Sequence, residues 1–344
     1  MREEYLKYAL KTLEELVMIP SPSGFTDNIT DYLIKELTDL GYAPKRMNKG
    51  GVAVELGGDE GEGLLLGCHV DTLGGMVEKI KDDGRLKIAP LGFLSPNNIE
   101  DINVMIYTHS GKEYEGTCHM EMPSWHINTN SDTTPRNFEN MEIVIDQHVK
   151  NADDTRALGI EVGDVICFDP QFRITESGYI KSRHLDDKLS ACVILALAKY
   201  LKEEKPSLKR KVYAHFTVYE EVDHGASAYC PADVAEFLAV DMACVGPQYR
   251  GDEHMVSICA KDNAGPCSFS MVSALQATAR SLNLECTTEV FPNYASDADI
   301  IVKAGYDVRH CTVGPGVYAS HGYERSHIDG LKNTFKMVKG YMER

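Results

Sequence analysis

Five short stretches of this sequence carry residue types that hold and use divalent metals, and each stands where an apolar segment ends or begins. His69-Val70-Asp71 follows the apolar run 64–68. Residues two apart on a strand share a face, which lets a carboxylate hold an imidazole in one tautomer for metal binding. His184-Leu185-Asp186-Asp187 stands before a strongly apolar helical segment. Val212, Ala214, Phe216 and Val218 alternate as a strand that runs into Glu220-Glu221. Two adjacent carboxylates are costly if buried unpaired, because like charges raise each other's pKa, and a pair of cations removes that cost. A strand over 238–240 ends at Asp241, and Val313 leads through a Gly314-Pro315-Gly316 turn to Ser320-His321.

Singly, each stretch has a plainer account: a structural His-x-Asp pair, an aspartate capping a helix, a solvated loop residue. Together they supply two imidazoles and several carboxylates at comparable positions, the types that bind paired hydrolytic metals. His-Glu-x-x-His is absent, which excludes the usual mononuclear zinc peptidase arrangement. Cys118, His119, Met120 and His126 lack ligand-defining spacing and read as structural, and Cys68 reads as a small buried strand residue.

The elements that must position these residues follow from periodicity. Leu6, Ala9, Leu10, Leu13, Leu16 and Val17 recur at helical spacing, and a second helix is expected over 26–40. Strands are expected over 51–56 and 64–68, separated by a turn holding Gly57, Gly58, Gly61 and Gly63. That turn also carries Asp59, Glu60 and Glu62, which disfavours phosphate binding. From 74 to 180 the texture is short alternating segments with little helical periodicity, read as a small β-rich insertion, and 128–140 reads as an exposed loop inside it. Beyond 186, helices over 191–201, 232–237, 271–281 and 298–304 alternate with strands over 212–218, 238–240, 289–291 and 308–313. This is α/β grammar, implying a mostly parallel sheet sandwiched by helices. The expected division is 1–73 with 181–344 as one domain and 74–180 as the other.

Length and composition bound the rest. The 344 residues allow about two domains, at about 150 each, and 43% hydrophobic with 25% charged residues is a globular balance. The net charge of −17 opposes phosphate backbones and anionic lipid, so nucleic acid is not an expected partner. No apolar run approaches the ~20 residues that span a bilayer, and Glu3, Glu4, Glu14 and Glu15 break any secretory pattern. Ten cysteines scattered without a Cys-x-x-Cys pair read as free thiols of a cytoplasmic protein.

The ordered series His69-x-Asp71, Leu185-Asp186-Asp187, Thr217-Val218-Tyr219-Glu220-Glu221-Val222, Ala239-Val240-Asp241 and His321-x-x-Glu324 resembles the tetrahedral dinuclear-metal aminopeptidases. That family includes glutamyl, leucyl and lysyl aminopeptidases, often mislabelled as cellulases. The resemblance covers essentially the whole chain and implies a zinc-exopeptidase-like fold with the β-rich insertion as a dimerisation domain. It implies that Asp186 bridges two divalent ions per subunit, zinc or cobalt, with manganese also suited. By the same resemblance His69 and Asp241 complete one ion site, Glu221 and His321 the other. Glu220 matches the general base, and Asp71 a carboxylate that orients His69. It further implies a homo-oligomer, a dodecamer of dimers, that removes N-terminal residues from peptides.

Two positions depart from many relatives: Thr72 stands where they carry glutamate, and Asp223-His224-Gly225 replaces a longer glycine-containing turn. Competing readings are a carboxypeptidase or acyl-amino-acid deacylase on the same scaffold, a glycoside hydrolase using Glu220 and Glu221, and a non-catalytic assembly protein. The glycosidase reading needs carboxylates ~5–9.5 Å apart around a sugar bond and gives His69 and His321 no task.

Overall fold

A computed structural model describes every residue of the chain except Glu60, so that member of the acidic turn lies outside the described residues. The chain opens with α1 (Glu3–Met18), which buries Leu6, Ala9, Leu13, Leu16 and Val17, and α2 (Asp27–Asp39), which buries Ile29, Leu33 and Leu37. Both apolar stripes recur at the three- and four-residue spacing of a helix face. Three strands follow, β1 (Lys45–Arg46), β2 (Val52–Gly57) and the fully buried β3 (Gly63–His69).

At Asp71 the chain leaves this unit, and it returns at Gln171. The intervening unit, Thr72–Pro170, holds β4 (Gly74–Ile80), β5 (Leu86–Leu91), β6 (Ile102–Tyr107), β7 (Glu113–Met120), β8 (Met141–Ile145), α3 (Ala152–Leu158) and β9 (Val165–Phe168). The six strands close into a barrel in the order β4-β5-β8-β7-β6-β9. It has its own core, in which Val77, Ile88, Ile106, Met120, Ile143 and Ile166 are buried together. Residues 128–140 join β7 to β8 without regular structure, as expected.

The first unit resumes with β10 (Arg173–Ile174), β11 (Tyr179–Ser182), α4 (Leu185–Glu204), β12 (Val212–Thr217), β13 (Val234–Val240), β14 (Ala243–Val245) and β15 (Val256–Lys261). It ends with α5 (Phe269–Ser281), β16 (Cys286–Val290), α6 (Asp297–Lys303), β17 (Arg309–Tyr318), β18 (Glu324–His327) and α7 (Ile328–Met342). Its sheet runs β1-β2-β12-β3-β13-β17-β18-β11-β10, with β14, β15 and β16 attached beside β17. The body of helix α4 from 191 to 198 is apolar on all sides because it is buried on all sides, and the four residues 185–188 at its start are buried as well. Among the described residues, no helix is long and apolar enough to cross a membrane.

Several expectations need correction. The sheet is mixed rather than mostly parallel: β12, β3, β13 and β17 form a parallel centre, while β1, β2, β18, β11 and β10 join antiparallel. Short links such as the one from β17 to β18 force antiparallel pairing, since only a long crossover returns a chain to run parallel. Residues 171–180 belong to this sheet and not to the barrel, because β10 and β11 pair with each other and β11 pairs with β18. The segment 232–237 is no helix; from Val234 it is strand, hydrogen-bonded between β3 and β17. Gly314-Pro315-Gly316 is no turn but part of β17, and a Cβ at Gly314 would lie 1.8 Å from the Asp241 carbonyl oxygen. Glycine there permits a backbone approach, not a reversal.

Candidate metal centre

The parallel centre of the sheet sets the site, because ligands in α/β folds collect beyond the carboxyl ends of the strands. His69 is the last residue of β3, and Asp241 directly follows β13. Past β12 the chain enters a one-turn 3-10 segment, Glu220–Val222, bracketed by Tyr219 at φ 69° and Asp223 at φ 65°. Adjacent residues of a regular strand point to opposite faces, so this irregular turn is what lets both glutamates face the same region. Asp186 and Asp187, joined by a cis peptide bond, have non-helical geometry at the start of α4, and His321 (φ 64°) lies between β17 and β18.

Asp186 sits between the two imidazoles. Its Oδ1 is 3.0 Å from His69 Nε2, and its Oδ2 is 3.5 Å from His321 Nε2. Glu221 Oε2 is 3.6 Å from His321 Nε2, and Glu220 Oε2 is 3.7 Å from His69 Nε2. On the other side of His69, Nδ1 is 3.0 Å from the Asp71 carbonyl oxygen, which can only accept. Nδ1 therefore donates to that carbonyl and Nε2 donates to Asp186. Burial opposes the ring's charge, but Glu220 and Asp186 outweigh it and hold the imidazole well above its ordinary pKa, so a cation would replace the Nε2 proton.

Asp71 thus orients His69 through its backbone. Its carboxylate also lies 3.7 Å from His69 Nδ1, and it accepts from the Glu220 amide at 3.1 Å, the Glu221 amide at 3.4 Å and the Ser23 hydroxyl at 2.5 Å. Three ligand groupings emerge among the described residues. Two are His69 with Asp186 and Glu221, and His69 with Asp187 and Asp241. The third, His254, His327 and Asp329, lies elsewhere. There His327 Nδ1 accepts from the Asp329 amide at 3.0 Å while Nε2 faces the Ser177 carbonyl at 2.8 Å, so both ring nitrogens are already engaged.

The charge balance at the main cluster favours cations. Burial pushes the Glu221 carboxyl up to about 8, with Asp186 adding to the shift, and pushes Asp241 up to about 7 for the same two reasons. Burial, then Asp241, drives Asp187 well above the carboxylate range; both its oxygens and Asp241 Oδ1 are buried without a hydrogen-bond partner. Orphaned buried carboxylate oxygens beside imidazoles are a donor set that fits divalent ions, since cations replace the protons these groups otherwise retain.

That balance has a consequence for the metal-free protein. Glu221 and Asp241 have folded pKa values raised from 4.5 and 3.8 to about 8 and about 7, so between these limits the folded state binds more protons than the unfolded state. Their contribution is fully present below the unfolded pKa and is lost as pH rises through the folded one. His321, raised from 6.5 to about 10 because Asp186 and Glu221 outweigh its burial, adds the same sign at higher pH. The melting temperature of chelated protein is expected to fall from pH about 5 to about 8, and added divalent ion is expected to restore it most at the alkaline end. A flat or rising profile in calorimetry would contradict this charge balance.

Sequence reasoning missed several supporting groups. Glu324, buried, accepts from the Asp186 amide through Oε2 and from the His321 amide through Oε1, both at 3.1 Å, so one carboxylate holds two neighbours of the cluster in register. The His321-x-x-Glu324 spacing was visible, but its double backbone contact was not. Buried Asp297, at the start of α6, accepts from the Thr217 hydroxyl and from the Ala226 amide. No sequence signal marked it. Thr72 donates to the Leu73 carbonyl, and His119 lies against Asp101 in the barrel unit.

Comparison with known proteins agrees with this geometry. A sequence profile described as M42 glutamyl aminopeptidase matches residues 50–337. The chain is 39% identical over 339 residues to the putative aminopeptidase YhfE of Bacillus subtilis, covering 98% of each. Among solved structures it resembles the aminopeptidase APDkam598 of Desulfurococcus kamchatkensis, with TM-score 0.87 and 20% identity over 99% of this chain and 96% of that one. It also resembles the Pyrococcus horikoshii TET1 peptidase, with TM-score 0.84 and 22% identity over 97% and 99%. With strand-end imidazoles and carboxylates gathered as described and the profile spanning most of its length, the chain belongs to the M42 glutamyl aminopeptidase family of peptide-bond hydrolases.

Proposed function

We propose that this protein is an aminopeptidase that uses two divalent ions and releases N-terminal residues from peptides. The observation that carries the reading is Asp186, one carboxylate facing His69 with one oxygen and His321 with the other. In this reading Asp186 is shared, His69 and Asp241 hold one ion, and Glu221 and His321 hold the other. Asp187, which shares a grouping with His69 and Asp241, is a further carboxylate within reach of the first. Zinc or cobalt suits the mixed imidazole and carboxylate set best, and manganese also suits it.

When bound, such ions polarise the scissile carbonyl and lower the pKa of water toward about 7. Glu220 is the general base: burial pushes its carboxyl upward against the opposing pull of His69, the direction that strengthens a carboxylate as a proton acceptor once bound cations offset the neighbouring carboxylates. It takes the proton from the attacking water and delivers it to the departing amine. Asp71 fixes the turn that carries it by accepting both glutamate amides. Free-amine peptides are the expected substrates, and their N-acetylated versions are expected to be cleaved at least about 100-fold more slowly. An aminopeptidase must seat the free terminal amine, and a site that pairs a charged group of its substrate rejects the analogue that lacks it. Equal rates would favour a deacylase or carboxypeptidase instead.

The barrel unit is read as the dimerisation domain. It exposes Phe93 (75%), Trp125 (60%) and Ile127 (76%), apolar side chains of the kind a second copy would cover. The Pyrococcus horikoshii relative assembles into a tetrahedron or a large octahedral shell. We place this protein in the cytoplasm as a homo-oligomer, a dodecamer of dimers. Light scattering that finds a monomer at every concentration tested would overturn the assembly.

A further inference from the structure

The turn that carries Glu220 is not one its own residues would choose. Tyr219 and Asp223, both non-glycine, take left-handed φ values at its two ends, a conformation that persists only where surrounding groups impose it. Two of those groups are carboxylates that capture amides: Asp71 takes those of Glu220 and Glu221, and Asp297 takes that of Ala226. The latter is packed so closely that a Cβ at Gly225 would lie 2.1 Å from Asp297 Oδ1.

The third group is a cation from a different part of the chain. Lys49, in the turn between β1 and β2, places Nζ 2.9 Å from the Gly225 carbonyl oxygen and 2.9 Å from Ser227 Oγ, to both of which it donates. It lies 5.9 Å from the centre of the Tyr219 ring, which is itself stacked on His224 at 4.7 Å. Half-buried Lys49 has its charge disfavoured by burial and favoured by Asp297 and Asp71. It therefore takes the acceptors the two carboxylates cannot take and offsets their charge beside the base.

We propose that Lys49 is a positioning residue for the general-base turn, holding Glu220 in place by binding the backbone and Ser227 downstream of it. The inference rests on the reading of Glu220 as the base. It concerns alignment and not ion binding, since Lys49 donates to loop oxygens and not to any of the proposed ligands.

The experiment compares Lys49→Met, Lys49→Arg and Ser227→Ala in the full chain, with Glu220→Gln as reference. Lys49→Met is expected to lower kcat by about 10- to 100-fold with KM within about threefold, because small misplacements of a catalytic group act on the transition state. Metal content by elemental analysis is expected to stay at the wild-type value. Lys49→Arg, which keeps the cation and its donors, is expected to recover most of the rate. Ser227→Ala alone is expected to cost about three- to tenfold in kcat and to add little in the Lys49→Met background, as for two members of one contact. Hydrogen exchange of the metal-free protein supplies a readout independent of turnover: Lys49→Met is expected to speed exchange in peptides covering 219–229 and not in those covering α4.

Wild-type kcat in Lys49→Met, a loss of ions together with activity, or unchanged exchange over 219–229 would each overturn the proposal. If Lys49→Met does not fold, Ser227→Ala decides, and wild-type kcat there overturns it. An active Glu220→Gln would remove the base assignment itself, whereas an inactive Glu220→Gln beside a fully active Lys49→Met sinks the Lys49 role alone.

Discussion

Asp186→Ala is expected to leave the protein folded, without tightly bound divalent ions and without measurable peptidase activity. Among the described residues Asp186 is the carboxylate set between both imidazoles, so its removal takes a ligand from each proposed ion at once. Carbonyl polarisation and water activation by the ions are together worth several kcal/mol, so the loss in rate should be about 10⁴-fold or more at 1.36 kcal/mol per decade. The fold should survive because the Glu324 clamp binds the Asp186 amide and not its side chain, and the apolar body of α4 stays packed. Elemental analysis of the purified variant decides the matter. Two ions per chain retained after dialysis would show that no carboxylate shared between them runs through this residue.

Glu220→Gln is expected to separate chemistry from metal binding. The amide keeps the size of the side chain and the backbone contacts to Asp71, yet it cannot take up a proton. General acid–base catalysis commonly contributes ~10²–10⁴-fold, and kcat should fall within that range with ion content unchanged. Glu221→Gln, next to it, should instead weaken ion binding, because Glu221 faces His321. If Glu220→Gln turns over at the wild-type rate, the proton acceptor lies elsewhere. If it loses ions, the two glutamates have exchanged roles.

The sequence was informative where chemistry and periodicity are local. Residue type at the ends of apolar segments marked His69, the pair Asp186-Asp187, Glu220-Glu221, Asp241 and His321, the family resemblance chose Asp186 of its pair, and the structure brings these side chains into one region. Helices α1, α2, α5 and α6 were legible within a few residues, because one apolar stripe per helix suffices to mark them. Their periodicity is set by what each segment must bury, and that is written residue by residue.

Other features were decided only by tertiary partners. Residues 234–240 form a strand because β3 and β17 flank them on both edges, and a short apolar run carries no signal that separates a buried strand from a buried helix. The Gly314-Pro315-Gly316 stretch stays extended because the backbone at Asp241 must pass close beside it, although glycine and proline locally favour reversal. Likewise the assignment of 171–182 to the large sheet depends on β18, more than 140 residues away along the chain. The supporting contacts have the same origin. Asp71 uses its carbonyl on His69 and its carboxylate on the glutamate amides, Glu324 spans two loops, and Asp297 and Lys49 reach the base turn from separate segments. Reactive side-chain types can be read one position at a time. A hydrogen bond to a distant backbone amide or carbonyl leaves no trace in sequence, because every residue except proline offers the same donor and acceptor, and only the folded chain selects which pair will meet.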